Sequence, residues 1–169
     1  WMDNEEKAKK DRYIEGLQND GISNHYEYII NSEGTIEIRH VLKPEGKMPL
    51  WFPRIGLTLT VSDALDQVKW YGRGPQENYP DRKTGYPMGI YASTVQAMYE
   101  PYLMQQDYGL RTDVRWLQLT TEKGIGLQFK MNEWFNFKIY QYSKDNLTKA
   151  MDTYQLKKQK GMTQNIDYE

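Results

Sequence analysis

The chain has 169 residues, 38% hydrophobic and 27% charged, which suits one globular domain able to close an apolar core and leaves a second domain unexpected. No apolar run approaches the roughly 20 residues that cross a bilayer, and 22 basic against 23 acidic residues leave a net charge of −1, too weak a field to attract nucleic acid or acidic lipid. The lack of cysteine removes disulfides, thiolate nucleophiles and sulfur-ligated zinc but leaves the compartment open between cytoplasm and periplasm.

Residues 1–22 read as a polar lead-in and 23–169 as the domain proper. Trp1-Met2-Asp3-Asn4-Glu5 lacks the basic, apolar and small-residue succession of a signal peptide, so a mature or excised start is expected. Lys7, Lys9 and Lys10 then stand beside Glu5, Glu6 and Asp11, with only Ala8, Ile14 and Leu17 apolar, as in a loop or surface helix. From Asn24 the period becomes two: Tyr26, Tyr28 and Ile30 alternate with His25, Glu27 and Ile29, and Ser32-Glu33-Gly34 offers a turn. A hairpin follows, its second arm carrying Ile36, Ile38 and His40 on one face and ending before Pro44-Glu45-Gly46.

Ile55, Leu57, Leu59 and Val61 alternate with Gly56, Thr58 and Thr60, which predicts a strand with one apolar face. Strand patterns recur over 67–71, 113–120, 125–131 and 135–140. In the third of these five the apolar parity changes from Val114 and Trp116 to Leu117 and Leu119, as one inserted residue in a pairing would produce, so a bulge is predicted there. Glycine and proline between Gly72 and Asn78, and between Pro80 and Pro87, predict loops. One short helix is expected, capped by Ser143, with Asp145 in its first turn and Leu147, Met151 and Tyr154 along one face. About seven strands and one helix describe an all-β, antiparallel sandwich, because a parallel sheet needs a helix between most strands.

The most informative run is Trp70-Tyr71-Gly72-Arg73-Gly74-Pro75-Gln76-Glu77-Asn78-Tyr79-Pro80-Asp81-Arg82. Its two glycines permit positive φ or close backbone approach, Pro75 stiffens the exit, and Arg73, Glu77, Asp81 and Arg82 supply charges able to pair. With Pro53-Arg54-Ile55-Gly56-Leu57 before it, and Gly109 with Arg111-Thr112-Asp113-Val114-Arg115-Trp116 after it, this run resembles the C-terminal small-chain region, the fifth domain, of family 2 β-galactosidases. The likeness covers roughly 24–169, and a thirteen-residue match of mixed chemistry is far more specific than a loose glycine motif. Gln105-Gln106-Asp107-Tyr108 and Leu110 depart from the family pattern of proline, glutamine and glutamate before the glycine and of asparagine after it.

The resemblance implies a supersandwich of the galactose mutarotase type, though no mutarotase catalytic pair maps onto this sequence. It also implies a retaining glycosidase as the parent, acting on terminal, lactose-type β-galactosides. The two catalytic carboxylates would sit in the barrel domain, so that no catalytic residue lies in this chain and the isolated piece is expected to be inactive. No cofactor is expected here, Mg and Na belonging to other domains of the parent. The implied partners are that barrel, the parent's other domains and a galactoside, in a homo-oligomeric enzyme. Gln164-Asn165-Ile166-Asp167-Tyr168-Glu169 resembles the strand that precedes the family's sugar-stacking tryptophan; that residue and the final strands are expected to be lacking, leaving an incomplete sandwich with an open edge.

Arg54, Trp70, Gly72, Arg73, Gly74, Pro75, Glu77, Asn78, Tyr79, Asp81 and Arg82 are therefore the candidate structural residues, with Glu77 and Asp81 read as members of an ion network. The sharper alternative, a catalytic pair, requires a cleft, a raised carboxyl pKa and a sugar-sized gap. His25 and His40 are the two histidines, too few for a three-histidine metal site, and His40 follows the parity of its strand. Lys157, Lys158 and Lys160 read as a solvated face, and Trp116, Trp134, Phe135 and Phe137 as core. Aromatic residues make up 14% of the chain, which also motivates a stand-alone carbohydrate-binding module; a mutarotase-like epimerase is a third hypothesis.

Overall fold

The computed structural model describes residues 21–48, 52 and 54–168; of the lead-in read over residues 1–22, positions 1–20 lie outside them, and Gly21 and Ile22 belong to the first strand instead. The chain divides into two compact units, one ending at Pro53 and the other beginning at Arg54. All sheet pairings among the described residues are antiparallel, in agreement with the all-β sandwich class, and no described helix is long and apolar enough to cross a membrane.

The first unit holds the expected hairpin, β1 (Gly21–Ile30) and β2 (Ile36–Glu45). Its turn is held by the Asn31 carboxamide, which accepts the amides of Glu33 and Thr35 at 3.0 Å each, while Gly34 takes the positive φ of 82° that the tight reversal needs. Tyr26, Tyr28 and Ile30 pair with His40, Ile38 and Ile36, so the alternation read in the sequence places these rings and aliphatic chains on one face. His40 stacks on Tyr26 with ring centroids 4.2 Å apart and meets Asn24 Oδ1 at 3.0 Å. The strand runs through Pro44 to Glu45 instead of stopping before them. A proline lacking its N–H is tolerated because each strand of a two-stranded sheet has a free edge.

The second unit is a six-stranded sheet in the order β3-β8-β7-β6-β4-β5. Its strands are β3 (Gly56–Val61), β4 (Gln67–Arg73), β5 (Met88–Thr94), β6 (Arg111–Thr120), β7 (Gly126–Tyr140) and β8 (Met162–Tyr168). Val68, Trp70, Leu117, Leu119, Phe135, Phe137, Ile139 and Met162 fill the main core, all at most 1% exposed. Burying each such side chain contributes roughly 1.5 to 3 kcal/mol before the entropic cost of ordering it. β5 is absent from the sequence reading because, as an edge strand, it leaves Ile90 63% exposed and shows no apolar alternation.

Two expected strands, 125–131 and 135–140, are one fifteen-residue β7. The bulge prediction holds and is doubled: Thr112 and Asp113 oppose Asn136 alone, and beyond Val114 the partner of β6 jumps from Phe135 to Lys130. Trp116 consequently turns to the opposite face from Val114 and is half-buried. Trp134, in the bulged part of β7, is 50% exposed and stacks on the Arg115 guanidinium at 3.5 Å, so the expectation of core tryptophans fails at 116 and 134, while Phe135 and Phe137 are fully buried as expected.

The helix is also shorter than expected. Ser143 caps α1 (Lys144–Lys149), its Oγ accepting the Asn146 amide at 3.1 Å, but Met151 and Tyr154 lie beyond it and are exposed. Asn146 Oδ1 accepts the Lys157 amide at 2.7 Å and Gln155 Oε1 the Met151 amide at 2.6 Å, turning the chain back through a separate turn at Thr153–Gln155. Leu147 alone carries the buried stripe, joining Tyr108 and Tyr140 in a second core. Lys157, Lys158 and Lys160 are exposed, as read.

Candidate functional site

Trp70 anchors the segment from β4 to Arg82. It is fully buried, 5.8 Å from Phe137 and 5.5 Å from Tyr91, and its indole N–H donates to the Arg73 carbonyl at 3.1 Å. The two glycines of the motif are explained by what surrounds them. A Cβ on Gly72 would sit 2.8 Å from Val114 Cγ2 and 3.1 Å from Val114 Cα, and one on Gly74 would meet Tyr91 at 2.8 Å and Trp70 at 3.0 Å. Gly72→Ala is expected to cost about 1 to 3 kcal/mol by overpacking, read as a lower urea midpoint; an unchanged midpoint would show that β4 and β6 can part without loss.

Two carboxylates organise the loop, and only one was singled out in the sequence. Asp113 of β6, 2% exposed, receives the Arg73 guanidinium at Nε and the Lys83 ammonium at 2.8 Å, while Arg73 Nη1 also donates to the carbonyls of Lys83 and Tyr86 at 3.2 and 2.9 Å. Asp113 adopts a positive φ of 55°, a conformation that aspartate tolerates better than most residues. Glu77, 5% exposed, accepts from the Tyr102 hydroxyl, from the Tyr79 hydroxyl at 3.1 Å, from the Gly109 amide at 2.8 Å and from Arg82 at 3.3 Å. Burial by itself raises the Glu77 pKa, but the bonds from Tyr102, Gly109 and Tyr79 and the charge of Arg82 outweigh it and hold the carboxyl below its ordinary value. Tyr79 and Tyr102 move upward, Tyr79 chiefly through burial and Tyr102 chiefly through its bond to Glu77.

Asn78, fully buried, completes the lock: Oδ1 accepts from the amide and hydroxyl of Thr112 at 3.0 and 2.5 Å, and its own amide donates to the Leu110 carbonyl at 2.8 Å. Arg111, 3% exposed, donates to the Pro75 carbonyl at 3.2 Å and lies 5.7 Å over the Trp70 ring; burial lowers its pKa to about 10, which still leaves it charged at pH 7. Tyr79 and Arg82 close the tip with a backbone bridge.

Of the candidate residues, Trp70, Gly72, Arg73, Gly74, Pro75, Glu77, Asn78, Tyr79 and Arg82 therefore share one locked assembly. Asp81 is exposed and stands outside it; the partner of Arg73 is Asp113 instead, because the β6 bulge turns that carboxylate toward the loop. Arg54 belongs to another cluster, 3.3 Å from Asp167 and 3.8 Å from Asp107, with Lys138 also on Asp107. Tyr102, Gly109, Thr112 and Asp113 were missed as contact residues, although the last three lie in or beside the third block of the motif set.

The family described as beta galactosidase small chain matches residues 2–169. This chain belongs to that family. A β-galactosidase of Priestia megaterium is 34% identical over 152 residues, covering 90% of this chain and 15% of its own length. One from Psychromonas ingrahamii is 34% identical over 130 residues, 76% of this chain and 12% of its own length, and one from Vibrio cholerae is 38% identical over 104 residues, 62% of this chain and 10% of its own. The small chain thus spans about one seventh or less of these relatives.

The small-chain geometry bears on the catalytic-pair alternative. A glycosidic acid needs a raised pKa and a gap across which a sugar can sit, whereas Glu77 is enclosed by four donors and held ionised, and Asp81 is on the surface. Among the described residues no group of three or more His, Cys, Asp or Glu side chains could hold a metal ion.

Proposed function

We propose that the chain is a noncatalytic β-sandwich domain of a retaining β-galactosidase acting on terminal β-galactosides, where it supports the active-site mouth, the barrel and the oligomeric assembly. The observation that carries this reading is the saturation of Glu77. A carboxylate engaged by four donors ties loop 70–82 to Tyr102 and Gly109 in the segment that leads into β6 and keeps no proton to give a leaving group. In this reading any Mg or Na of the parent is bound by its other domains.

The purified chain is expected to leave nitrophenyl-β-galactoside intact, with release of nitrophenol at the buffer rate. Turnover in the usual enzymatic range, about 1 s⁻¹ or faster, would overturn the noncatalytic reading. The second reading, a carbohydrate-binding module standing alone, is favoured by one specific feature, the exposed Tyr71 beside Trp116 on the sheet.

A further inference from the structure

The outward face of β4, β5 and β6 combines two aromatic rings with polar groups that are not engaged. Alternation along β4 turns Lys69 and Tyr71 away from the buried Val68 and Trp70. The register sets Tyr71 between Ile90 and Trp116, and Lys69 between Ala92 and Gln118. The Tyr71 and Trp116 rings lie 6.5 Å apart, inclined by 50°, with Tyr71 38% exposed. At the Gln67 end of the same strands lies a broad, open depression of about 750 Å³ that Lys69, Thr94, Thr120 and Glu122 line.

The polar groups here differ from those of the 70–82 loop. Lys69, Gln118, Thr120 and Glu122 make no side-chain hydrogen bond or ion pair with another described residue, so their donors and acceptors are available to a ligand. The Lys69 charge is offset by Glu122, which leaves no field to select phosphate or a nucleic-acid backbone. Amides and hydroxyls match sugar hydroxyls, and ring faces match the C–H face of a pyranose. An apolar peptide would find Ile90 and Tyr71 but would bury the Lys69 ammonium without a partner.

We propose that this face binds a neutral saccharide, one pyranose laid on Tyr71 and Trp116 and the next crossing Lys69 and Gln118 into the depression. At 3.3 Å per residue the path from Tyr71 to Gln67 is about 13 Å, the span of a short oligosaccharide. The inference rests on the second reading above, the carbohydrate-binding module, for which it names the site, and is independent of the supporting role: hydrolysis of nitrophenyl galactoside would sink that role and leave this one standing, and sugar binding undiminished by Ala92→Arg would keep the module and overturn the site.

The test is titration of lactose and of galactotriose into the full chain, followed by amide and indole nuclear magnetic resonance shifts. Saturating shifts centred on Lys69, Trp116 and Gln118 are expected, with a dissociation constant of about 1 to 10 mM. Ala92→Arg, which places a long side chain over the depression from an exposed position, and Tyr71→Ala should each weaken binding at least about tenfold, equivalent to ~1.4 kcal/mol. Tyr154→Ala, removing a ring 81% exposed elsewhere, should leave it unchanged. No saturation with either sugar, or undiminished binding to a folded Ala92→Arg chain, overturns the proposal.

Discussion

Asp113→Ala is expected to destabilise the chain by about 3 to 4 kcal/mol, because removing one partner of a buried ion pair leaves the others uncompensated. Arg73 and Lys83 both converge on this carboxylate, with side chains only 26% and 29% exposed, so neither cation is well solvated. A second cost is conformational, since φ is 55° at this position and alanine lacks the polar side chain that lets aspartate occupy the left-handed region. Asp113→Asn separates the two effects. It keeps the backbone preference and loses the charge, so it should lose about half as much. Urea unfolding of the two variants measures both terms, and an Asp113→Ala midpoint equal to that of the unsubstituted chain would remove the ion cluster from any account of stability.

Glu77→Gln should cost about 2 to 3 kcal/mol near neutral pH, since an amide nitrogen would face hydroxyl and backbone donors that the carboxylate now satisfies. The share owed to Arg82 is small, that side chain being 55% exposed and screened by water. The pH dependence has a definite sign. The folded-state pKa of Glu77 lies below its ordinary 4.5, so its contribution is fully present above that value and is lost as the pH falls toward and through the lower folded pKa. The Glu77→Gln difference should therefore be constant from pH 6 to 8, within the upper part of that window, and shrink in acid. A difference that grew with acidification would contradict the assignment of Glu77 as an ionised acceptor.

Much of this was legible locally. Alternation at Ile55 to Val61 and across Tyr26, Tyr28 and Ile30 needs only the period of a strand, and both patterns appear as β3 and β1. The Ser143 cap depends on a side chain three residues from its target amide. The parity change near Trp116 announced a bulge because one extra residue inverts every later side chain. Other features were invisible for a physical reason. β5 has no apolar alternation of its own and becomes a strand by pairing with β4; Met151 and Tyr154 fit a helical face, but hydrogen bonds from Asn146 and Gln155 to more distant amides end the helix first.

The candidate loop divides along the same line. Residue types in the run from Trp70 to Arg82 determined by themselves that the chain would turn there, with positive φ or close backbone approach open to its glycines and charges able to pair, since glycine, proline and short-range charge act within a few residues. Only the tertiary structure decided which charges meet. Asp81 is one residue from Arg82 yet remains in solvent, whereas Asp113, forty positions from Arg73, supplies the buried partner, and Tyr102 and Gly109 reach Glu77 across 25 and 32 positions. Such contacts depend on strand order and on the bulge that aims β6, and both are set by how the whole sheet packs its core.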